Sequence, residues 1–162
     1  MCIRDRHKYS FLWRFHKVHH SVKEMGFAAH FRYHWMENIL YKPLKVFAIM
    51  LIGGFEPEQA YLVHFLTITI GHLNHSNIKL SYGPLKYIFN NPVMHLHHHA
   101  NSSPDKFKIG VNFAISLSIW DYIFKTNHVP HANGEIKLGY DGDNHMSKNF
   151  IGQFFYGFKK ED

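Results

Sequence analysis

Apolar residues recur at steps of three and four over the first part of the chain, the spacing of one face of an α-helix. Residues 9–23 contain no Gly or Pro and predict one such helix. Its apolar positions are Phe11, Leu12, Phe15, Val18 and Val22. After Gly26, the aromatic-rich stretch 27–42 predicts a second helix, which ends at Pro43. We therefore expect two helices before residue 43.

Two longer apolar runs follow at residues 44–55 and 60–73, with the turn sequence GGFEPE at 53–58 between them. Lys45 interrupts the first run, and His64 and a few threonines interrupt the second. Each run alone is too short to cross a bilayer cleanly, so we expect a helical hairpin. Two interpretations stay open: the hairpin dips into or crosses a membrane, or it is buried in a soluble all-α domain.

The second half of the chain contains shorter sequence patterns that predict helices and loops. A loop at Gly83 and Pro84 leads to a short helical stretch at 85–89, and Pro92 begins another helix from Val93. Residues 113–124 form a last apolar segment, after which Gly, Asn, Asp and Lys dominate. The fold class predicted is all-α. We expect one main domain over residues 1–126 and a loosely structured C-terminal tail over 127–162.

Composition and charge narrow the possible functions. The 162 residues are 46% hydrophobic, as expected for one folded domain, and 17% aromatic. The lone Cys2 excludes a disulfide framework and a metal site built from cysteines. The formal charge of +6 favours an anionic partner. Because Lys and Arg are scattered and no nucleic-acid-binding motif occurs, we expect a membrane-surface protein or a soluble basic protein, with no nucleic acid as partner.

The 16 histidines are the strongest chemical signal. Two clusters share the spacing HxxHH, at His16, His19 and His20 and again at His95, His98 and His99. On a helix these offsets fall within an arc of about 100°, so three imidazoles of one triplet converge on one point. Neutral imidazole binds Zn, Fe, Cu and Ni. Six nitrogens exceed the need of one four-coordinate zinc site, which predicts two metals or none.

Further histidines lie near these triplets in the sequence. His7 precedes His16 by two and a half helical turns, and His75 ends the apolar hairpin one turn after His72. His97 points away from His95 by about 200° and is left out of the cluster. A surface cluster of histidines is the alternative interpretation of a single triplet, but two triplets with one spacing favour metal binding.

Four ordered motifs resemble the fatty acid hydroxylase/sterol desaturase superfamily. They are FLWRFHKVHHS at 11–21, HSN at 75–77 followed by YGPLKYIF at 82–89, NNPVMHLHHHA at 90–100, and SIWDYIF at 118–124. The resemblance covers roughly residues 7–126 and points to the superfamily, not to one member.

The resemblance implies an integral membrane enzyme, a membrane-associated helical bundle whose histidine-rich catalytic cap faces the cytoplasm. It implies two iron ions, with zinc possible in the purified protein, and O2 as co-substrate for hydroxylating or desaturating an unactivated C–H position of a lipid. The electrons would come from a cytochrome b5- or ferredoxin-type donor and its reductase. The implied metal ligands are His7, His16, His19, His20, His75, His95, His98 and His99, with His72 a further candidate.

The chain departs from the family pattern at two positions. The first family box is HxxxH; its second His matches His7, but Ile3 stands where its first His belongs. The membrane helices expected upstream are also missing, so we expect an N-terminally truncated piece of a longer enzyme that lacks one ligand. Lys125 stands where the family tends to have Gly.

Other interpretations concern the metal and the residues around it. A zinc-binding membrane protein, hydrolytic or structural, and an inactive fragment of the oxygenase are the competing functions; no HExxH motif accompanies the triplets. Glu37 and Asp121 are candidates to hold the outer ring nitrogens of ligating histidines, or are ordinary salt-bridge or capping residues. Aromatic residues around the first triplet could border a lipid chain or belong to the core: Trp13, Phe15, Phe31, Tyr33 and Trp35.

Overall fold

The computed structural model describes residues 2–101, 107, 109–129 and 135–158. Within these ranges every regular element is a helix, and one isolated antiparallel bridge joins Ala100 to Leu138. The predicted all-α fold class is confirmed. The α-helices are α1 (Cys2–Lys8), α2 (Ser10–His20), α3 (Met36–Leu40), α4 (Lys42–Gly53), α5 (Pro57–Asn74), α6 (Pro92–His98), α7 (Ile119–Ile123) and α8 (Phe150–Phe154). Three 3-10 helices cover Phe27–Phe31, Gly83–Tyr87 and Asp143–His145.

The helix predicted at 9–23 is present as α2, but it ends at His20. The Ser21 hydroxyl donates to the Val18 carbonyl at 2.8 Å and so satisfies one of the carbonyls left open at the helix end. Arg32 adds a second donor to the same carbonyl at 3.2 Å. The C-terminal turn of α2, which carries two of the triplet histidines, is therefore held by side chains.

The single helix predicted over 27–42 is wrong. The chain forms a 3-10 helix, breaks at residues 32–35, and resumes as α3. The break follows from contacts with distant elements: the Arg32 carbonyl accepts from His19, and His34 donates from Nε2 to the Phe154 carbonyl at 2.8 Å. The Met36 amide then donates to Nδ1 of His34, which satisfies one of the amides left open at the start of α3.

The helical hairpin predicted from the two apolar runs is confirmed as α4 and α5. Gly54 adopts the left-handed conformation (φ +67°) that ends α4, and Glu56 and Gln59 form a capping box that begins α5. Much of the hairpin's apolar surface is exposed, most strongly at Leu51 (82%) and Ile52 (87%). Among the helices in the described ranges, none is both long and apolar enough to cross a membrane.

Helix α6 begins as the sequence predicts, with Pro92 in its first turn. The Asn91 side chain accepts from the Met94 amide at 3.0 Å and caps the helix. Asn112 then ties the following loop to α6, because its side-chain amide donates to the Met94 carbonyl at 2.9 Å. The second triplet is thus positioned by a capped helix and by a loop that is hydrogen-bonded to that helix.

The apolar segment 113–124 is helical only over α7. Its first residues fold back toward the helix, because the buried Asp121 carboxylate accepts from the amides of Phe113 and Ala114 at 2.8 and 2.9 Å. The Thr126 hydroxyl donates to the same carboxylate at 2.6 Å. A loop closed by Asp121 therefore forms the first part of this apolar segment.

The interior is unusually polar. Among the described residues, 11 hydrophobic side chains are buried against 18 polar or charged ones. A small hydrophobic cluster of Val22, Met25, Ala29 and Leu138 lies beside the histidines. Leu138 and α8 belong to the predicted tail; of that tail, residues 130–134 and 159–162 lie outside the described ranges. The division between a main domain at 1–126 and a tail at 127–162 stays a prediction.

Candidate metal centre

Helices α2 and α6 bring the two HxxHH triplets face to face. The rings of His20 and His99 stack with their centroids 4.3 Å apart, and His19 lies 4.7 Å from His99. The ring centroid of His98 lies 4.8 Å from that of His20. Residues that are about 80 positions apart in the sequence therefore form one cluster of imidazoles.

All eight histidines predicted as ligands lie in this cluster, in two groups of four. The ligand nitrogens of each group lie within 4.8 Å of one another. Seven of the eight residues are buried, and His7 is half-buried. The first group is His7, His16, His20 and His98; the second group is His19, His75, His95 and His99.

Each triplet divides between the two groups in the same way. The two histidines four positions apart stay together, and the histidine three positions after the first joins the other group. Helix geometry explains the division: offsets of zero and four lie about 40° apart, whereas offset three lies about 100° from offset four. The expectation that each triplet converges on one point is therefore replaced by an approximate two-fold arrangement of α2 and α6. His7 and His75 supply the fourth member of each group.

Hydrogen bonds to the backbone orient the rings. Nδ1 of His19 donates to the Arg32 carbonyl at 3.0 Å, and Nδ1 of His98 donates to the Val111 carbonyl at 2.8 Å. His75 does the same to the carbonyl of Gly71 at 2.6 Å. A carbonyl only accepts, so the proton of each neutral ring lies on Nδ1 and leaves a lone pair on Nε2. These bonds present Nε2 to the centre of the cluster, as in metal sites.

The spacing of the Nε2 atoms suits a metal. Nε2 of His75 lies 3.1 Å from Nε2 of His19 and 3.0 Å from Nε2 of His95. Two nitrogens bound to one ion at roughly 2.1 Å and at a right angle are about 3.0 Å apart. His19 and His75 turn lone pairs toward each other, an arrangement that a cation between them stabilises.

Several buried ring nitrogens have no hydrogen-bond partner among the described residues. In the first group these are Nε2 of His7, His16 and His20, and in the second Nδ1 of His95 and both ring nitrogens of His99. A buried polar atom without a partner costs about 1–3 kcal/mol. A metal ion in each group would satisfy Nε2 of the three first-group histidines and one nitrogen of His99, so the donor set fits a pair of metal ions.

The electrostatic environment keeps these imidazoles neutral. Burial, reinforced by the neighbouring rings, holds the pKa of His20 and of His99 well below the ordinary value. Burial lowers the pKa of His16 in the same way, and the Arg6 charge lowers it further. Burial also lowers the pKa of His98 to about 4. Neutral imidazole is the form that binds metal, so the rings need not release protons at neutral pH.

A buried carboxylate touches the first group. Nδ1 of His16 lies 3.3 Å from Oε2 of Glu37, which also receives a hydrogen bond from Arg6 at 3.2 Å. The Tyr41 hydroxyl donates to Glu37 as well. Glu37 therefore combines the two roles considered for it, because it contacts the outer ring nitrogen of His16 and forms an ion pair with Arg6. Asp121 takes the capping role described above.

Two histidines beside the cluster stay outside both groups. His72 pairs with His30 through their Nδ1 atoms at 3.0 Å, and the His30 ring stacks on His75 with a centroid distance of 4.5 Å. This stacking depends on Gly71, where a Cβ would lie 2.6 Å from the His30 ring. The sequence analysis did not predict that His30 packs against the cluster. The one signal in the sequence was Gly71, a glycine inside an apolar helix four residues before His75, which leaves room for another side chain. His97, excluded by its direction on the helix, is also outside both groups.

A cavity of about 400 Å³ opens beside the histidines and reaches both groups. Of the aromatic residues considered for a lipid chain, Phe31 and Tyr33 line it. The others lie elsewhere: Phe15 packs on His34, Trp13 packs on His7, and Trp35 donates to the Phe154 carbonyl. Ile3 lines the cavity as well. Much of the remaining apolar wall comes from the second half of the chain: Phe113, Leu117, Trp120 and Phe124.

The chain matches the fatty acid hydroxylase family over residues 4–126. It is 30% identical over 162 residues to the ornithine lipid hydroxylase OlsE of Rhizobium tropici, an alignment that covers 99% of this chain and 47% of that protein. It is 29% identical over 128 residues to the alkylglycerol monooxygenase of Homo sapiens, covering 76% of this chain and 26% of that protein. The chain thus spans about half, or less, of the length of these relatives. No solved structure matches it.

Proposed function

The chain belongs to the fatty acid hydroxylase family, and from this premise we propose that it is the metal-binding part of an O2-dependent lipid hydroxylase. The observation that carries the proposal is the pair of four-histidine groups, whose inward-facing nitrogens have the spacing of metal ligands. The names of the two relatives, a lipid hydroxylase and an alkylglycerol monooxygenase, support hydroxylation as the reaction.

Each histidine group is proposed to hold one iron ion. When bound, the two ions supply the electrons and the oxidising chemistry that break an unactivated C–H bond with O2. The chain keeps the ligating rings neutral by burial, and it fixes their Nε2 atoms through the carbonyl contacts of His19, His75 and His98. The Glu37 carboxylate lies against His16, and its negative charge offsets part of the positive charge of two metal ions held only by neutral imidazoles.

The cavity beside the two groups is proposed to hold the lipid. Its contact with His16, His19 and His95 brings an apolar chain next to the metal centre. Its aromatic and aliphatic walls favour an apolar occupant and exclude water from the reacting carbon. Whether the bound carbon is hydroxylated or desaturated depends on its position relative to the centre, and the relatives favour hydroxylation.

The exposed apolar surface of α4 and α5 is proposed to lie against a membrane. Leu44, Phe47, Leu51 and Ile52 are each more than half exposed along α4, and Tyr61 and Phe65 are similarly exposed along α5. Such an apolar surface is stabilised by lipid or by a partner. As the family resemblance implies, the histidine groups are proposed to face the cytoplasm, where a cytochrome b5- or ferredoxin-type donor with its reductase delivers electrons.

The activity test is an isotope experiment. The protein is loaded with ferrous iron without oxygen, then mixed with a reductant, a lipid extract and isotopically labelled O2. We expect a hydroxylated lipid that carries one labelled oxygen atom, and we expect the product to disappear in His20→Ala but to persist in His97→Ala. Stoichiometric zinc with no oxygen uptake would favour the zinc-protein alternative. Bound iron with no lipid product would leave only the metal-binding part of the proposal.

A further inference from the structure

Helix α8 and the turn after it carry an apolar surface that the rest of the described chain leaves open. Residues 150–158 include four phenylalanines and one isoleucine. On a helix, four of these side chains fall within an arc of about 140° and so share one face. They are Phe150, Ile151, Phe154 and Phe155. Phe150 is 75% exposed, Ile151 is 64% exposed, and Phe155 is more than half exposed. Helix α8 is therefore amphipathic, and its apolar face is largely exposed.

Backbone contacts fix the position of this segment. The Phe154 carbonyl accepts from Nε2 of His34 at 2.8 Å and from Nε1 of Trp35 at 2.9 Å. The Gly157 backbone lies against α2, where an added Cβ would come within 3.1 Å of the Arg14 carbonyl oxygen. Because α2 carries the first triplet, the exposed apolar face is attached to the part of the molecule that holds the histidine groups.

The apolar surface of α8 continues toward the hairpin through Trp35. The Trp35 ring stacks on Phe154 with a centroid distance of 5.3 Å and on Phe158 with one of 5.8 Å. Ile39 follows Trp35 by four residues and so lies on the same side of α3. Ile39 and, at the start of the hairpin, Leu44 are each more than half exposed. The surface of α8 is thus linked through α3 to the hairpin surface proposed to lie against a membrane.

The charges around α8 suit an anionic lipid surface. Lys148 is exposed two residues before α8. Lys159 and Lys160 follow α8 in the sequence, with no acidic residue between the three lysines, and Glu161 and Asp162 come after them. Lysine is depleted from protein–protein interfaces, whereas aromatic side chains flanked by lysine are typical of membrane surfaces. Anionic lipid therefore fits this surface better than a protein partner does.

We propose that α8 lies at the surface of an anionic membrane, with Phe150, Ile151 and Phe155 inserted below the lipid head groups and Lys148 next to lipid phosphate. The inference rests on the membrane contact proposed for α4 and α5, and it adds a second contact from a separate part of the chain. Because α8 is attached to α2, this contact fixes the height of the histidine groups above the lipid.

The depth of α8 in a membrane can be measured with a nitroxide label. Cys2→Ser removes the native cysteine, and Phe155→Cys then provides one labelling site. The protein is reconstituted in vesicles of phosphatidylcholine and phosphatidylglycerol. Collisions of the label with O2, which concentrates in lipid, are compared with its collisions with a neutral, water-soluble nickel complex. We expect O2 to dominate at position 155, at a depth of about 5–10 Å. Asn144→Cys, at an exposed polar position, is the matched control, and its label should meet mainly nickel.

Two further comparisons separate apolar insertion from charge. Phe150→Ser combined with Ile151→Ser should raise the nickel collisions at position 155 several-fold, to the level at position 144. Tyr87→Ser combined with Ile88→Ser removes an exposed apolar pair beside α7 and should leave the label at position 155 unchanged. Urea unfolding checks that each variant folds. In vesicles of phosphatidylcholine alone, nickel collisions at position 155 should increase by about fivefold.

Three results would overturn the inference. A label at position 155 that meets nickel as freely as the label at position 144 would mean that α8 lies in water. A label that meets neither nickel nor O2 would mean that protein covers α8, and dipolar broadening between labels would identify that protein as a second copy of the chain. Equal nickel collisions in the two kinds of vesicle would overturn the assignment to an anionic surface.

Failure of the proposed function gives different results. Ile52→Cys places the same label on the exposed surface of α4. A label there that meets mainly nickel would refute the membrane contact of the hairpin. Lipid contact at position 52 together with water contact at position 155 would refute the α8 inference alone. The depth of the label does not depend on lipid oxidation, so a protein that hydroxylates nothing can still confirm the position of α8.

Discussion

Replacing Glu37 by Gln tests how the protein supports the first histidine group. The carboxylate lies 3.2 Å from Arg6 and 3.3 Å from Nδ1 of His16, and it accepts from Tyr41. Its side chain is 3% exposed, and that of Arg6 is 15% exposed. Glu37→Gln preserves the shape and one acceptor oxygen, but it leaves the Arg6 charge next to His16 without its partner.

The magnitude follows from these distances. At an effective dielectric constant of about 20, two charges 3.2 Å apart attract by roughly 5 kcal/mol before desolvation is counted. Removing one partner of a buried ion pair typically costs about 3–5 kcal/mol, and we expect the lower end because Gln still accepts a hydrogen bond. Loss of a partner that orients a ligating histidine lowers metal affinity by about 10–100-fold. The first group should be affected more than the second, because Glu37 touches His16 and acts on His19 only through its charge.

The assay is metal release from the loaded protein at increasing chelator concentration, combined with urea unfolding of the metal-free protein. We expect one of the two bound ions to leave Glu37→Gln at about 10–100-fold lower chelator strength, while the release of the other changes less. Glu24→Gln, at an exposed carboxylate outside the cluster, is the matched control. In a His20→Ala background, where the first group is already broken, Glu37→Gln should change the affinity of the remaining ion much less than it changes that of the first ion in the parent.

Two outcomes would refute this reasoning. Equal weakening of both ions would mean that Glu37 acts through the fold as a whole and not through His16. Unchanged release of both ions, together with a loss of stability, would mean that Glu37 is only a structural partner of Arg6.

Three other predictions follow from the structure. Lys125 has a φ of +55°, so Lys125→Gly should raise the free energy of unfolding in urea by about 0.5–1 kcal/mol, and Lys125→Ala should not. Gly71→Ala should displace His30 and, through His75, release one metal ion more easily, whereas Gly26→Ala, where an added Cβ meets nothing within 4 Å, should not. In the metal-free protein, burial holds the pKa of histidines such as His20 and His95 below the unfolded value of 6.5. Below pH 6.5 only the unfolded chain takes up protons at these histidines. The free energy of unfolding should therefore be constant above pH 6.5 and fall by about 1.4 kcal/mol per pH unit below it for each such histidine. Urea unfolding at a series of pH values measures this.

The parts of the fold that could be predicted are those set by local patterning. The hairpin α4–α5 follows from two apolar runs and a glycine turn, and α6 follows from the Asn-Pro start at residues 91 and 92. The set of eight histidines could be named because helical spacing and family resemblance agree, and the structure brings all eight together. That they bind iron stays a prediction.

The parts that could not be predicted depend on distant contacts. The break at residues 32–35 requires His34 to reach the Phe154 carbonyl, 120 residues away. The short length of α7 depends on Asp121 accepting backbone amides, although its sequence is apolar enough for a longer helix. Helix angles alone could have predicted that each triplet divides between two groups. Which histidines complete each group could not be predicted, because it depends on how α2 and α6 lie relative to each other.

The number of metal ions per chain tests the central claim most directly. After anaerobic loading and removal of loosely bound metal, elemental analysis of the parent protein should give two ions per chain. His20→Ala and His99→Ala, one from each group, should each lower the count to about one, and the double variant should bind none tightly. His97→Ala, within the second motif but outside both groups, should still bind two. A parent protein that binds one ion or none, or a His97→Ala variant that loses metal as readily as His99→Ala does, would contradict the two-group account.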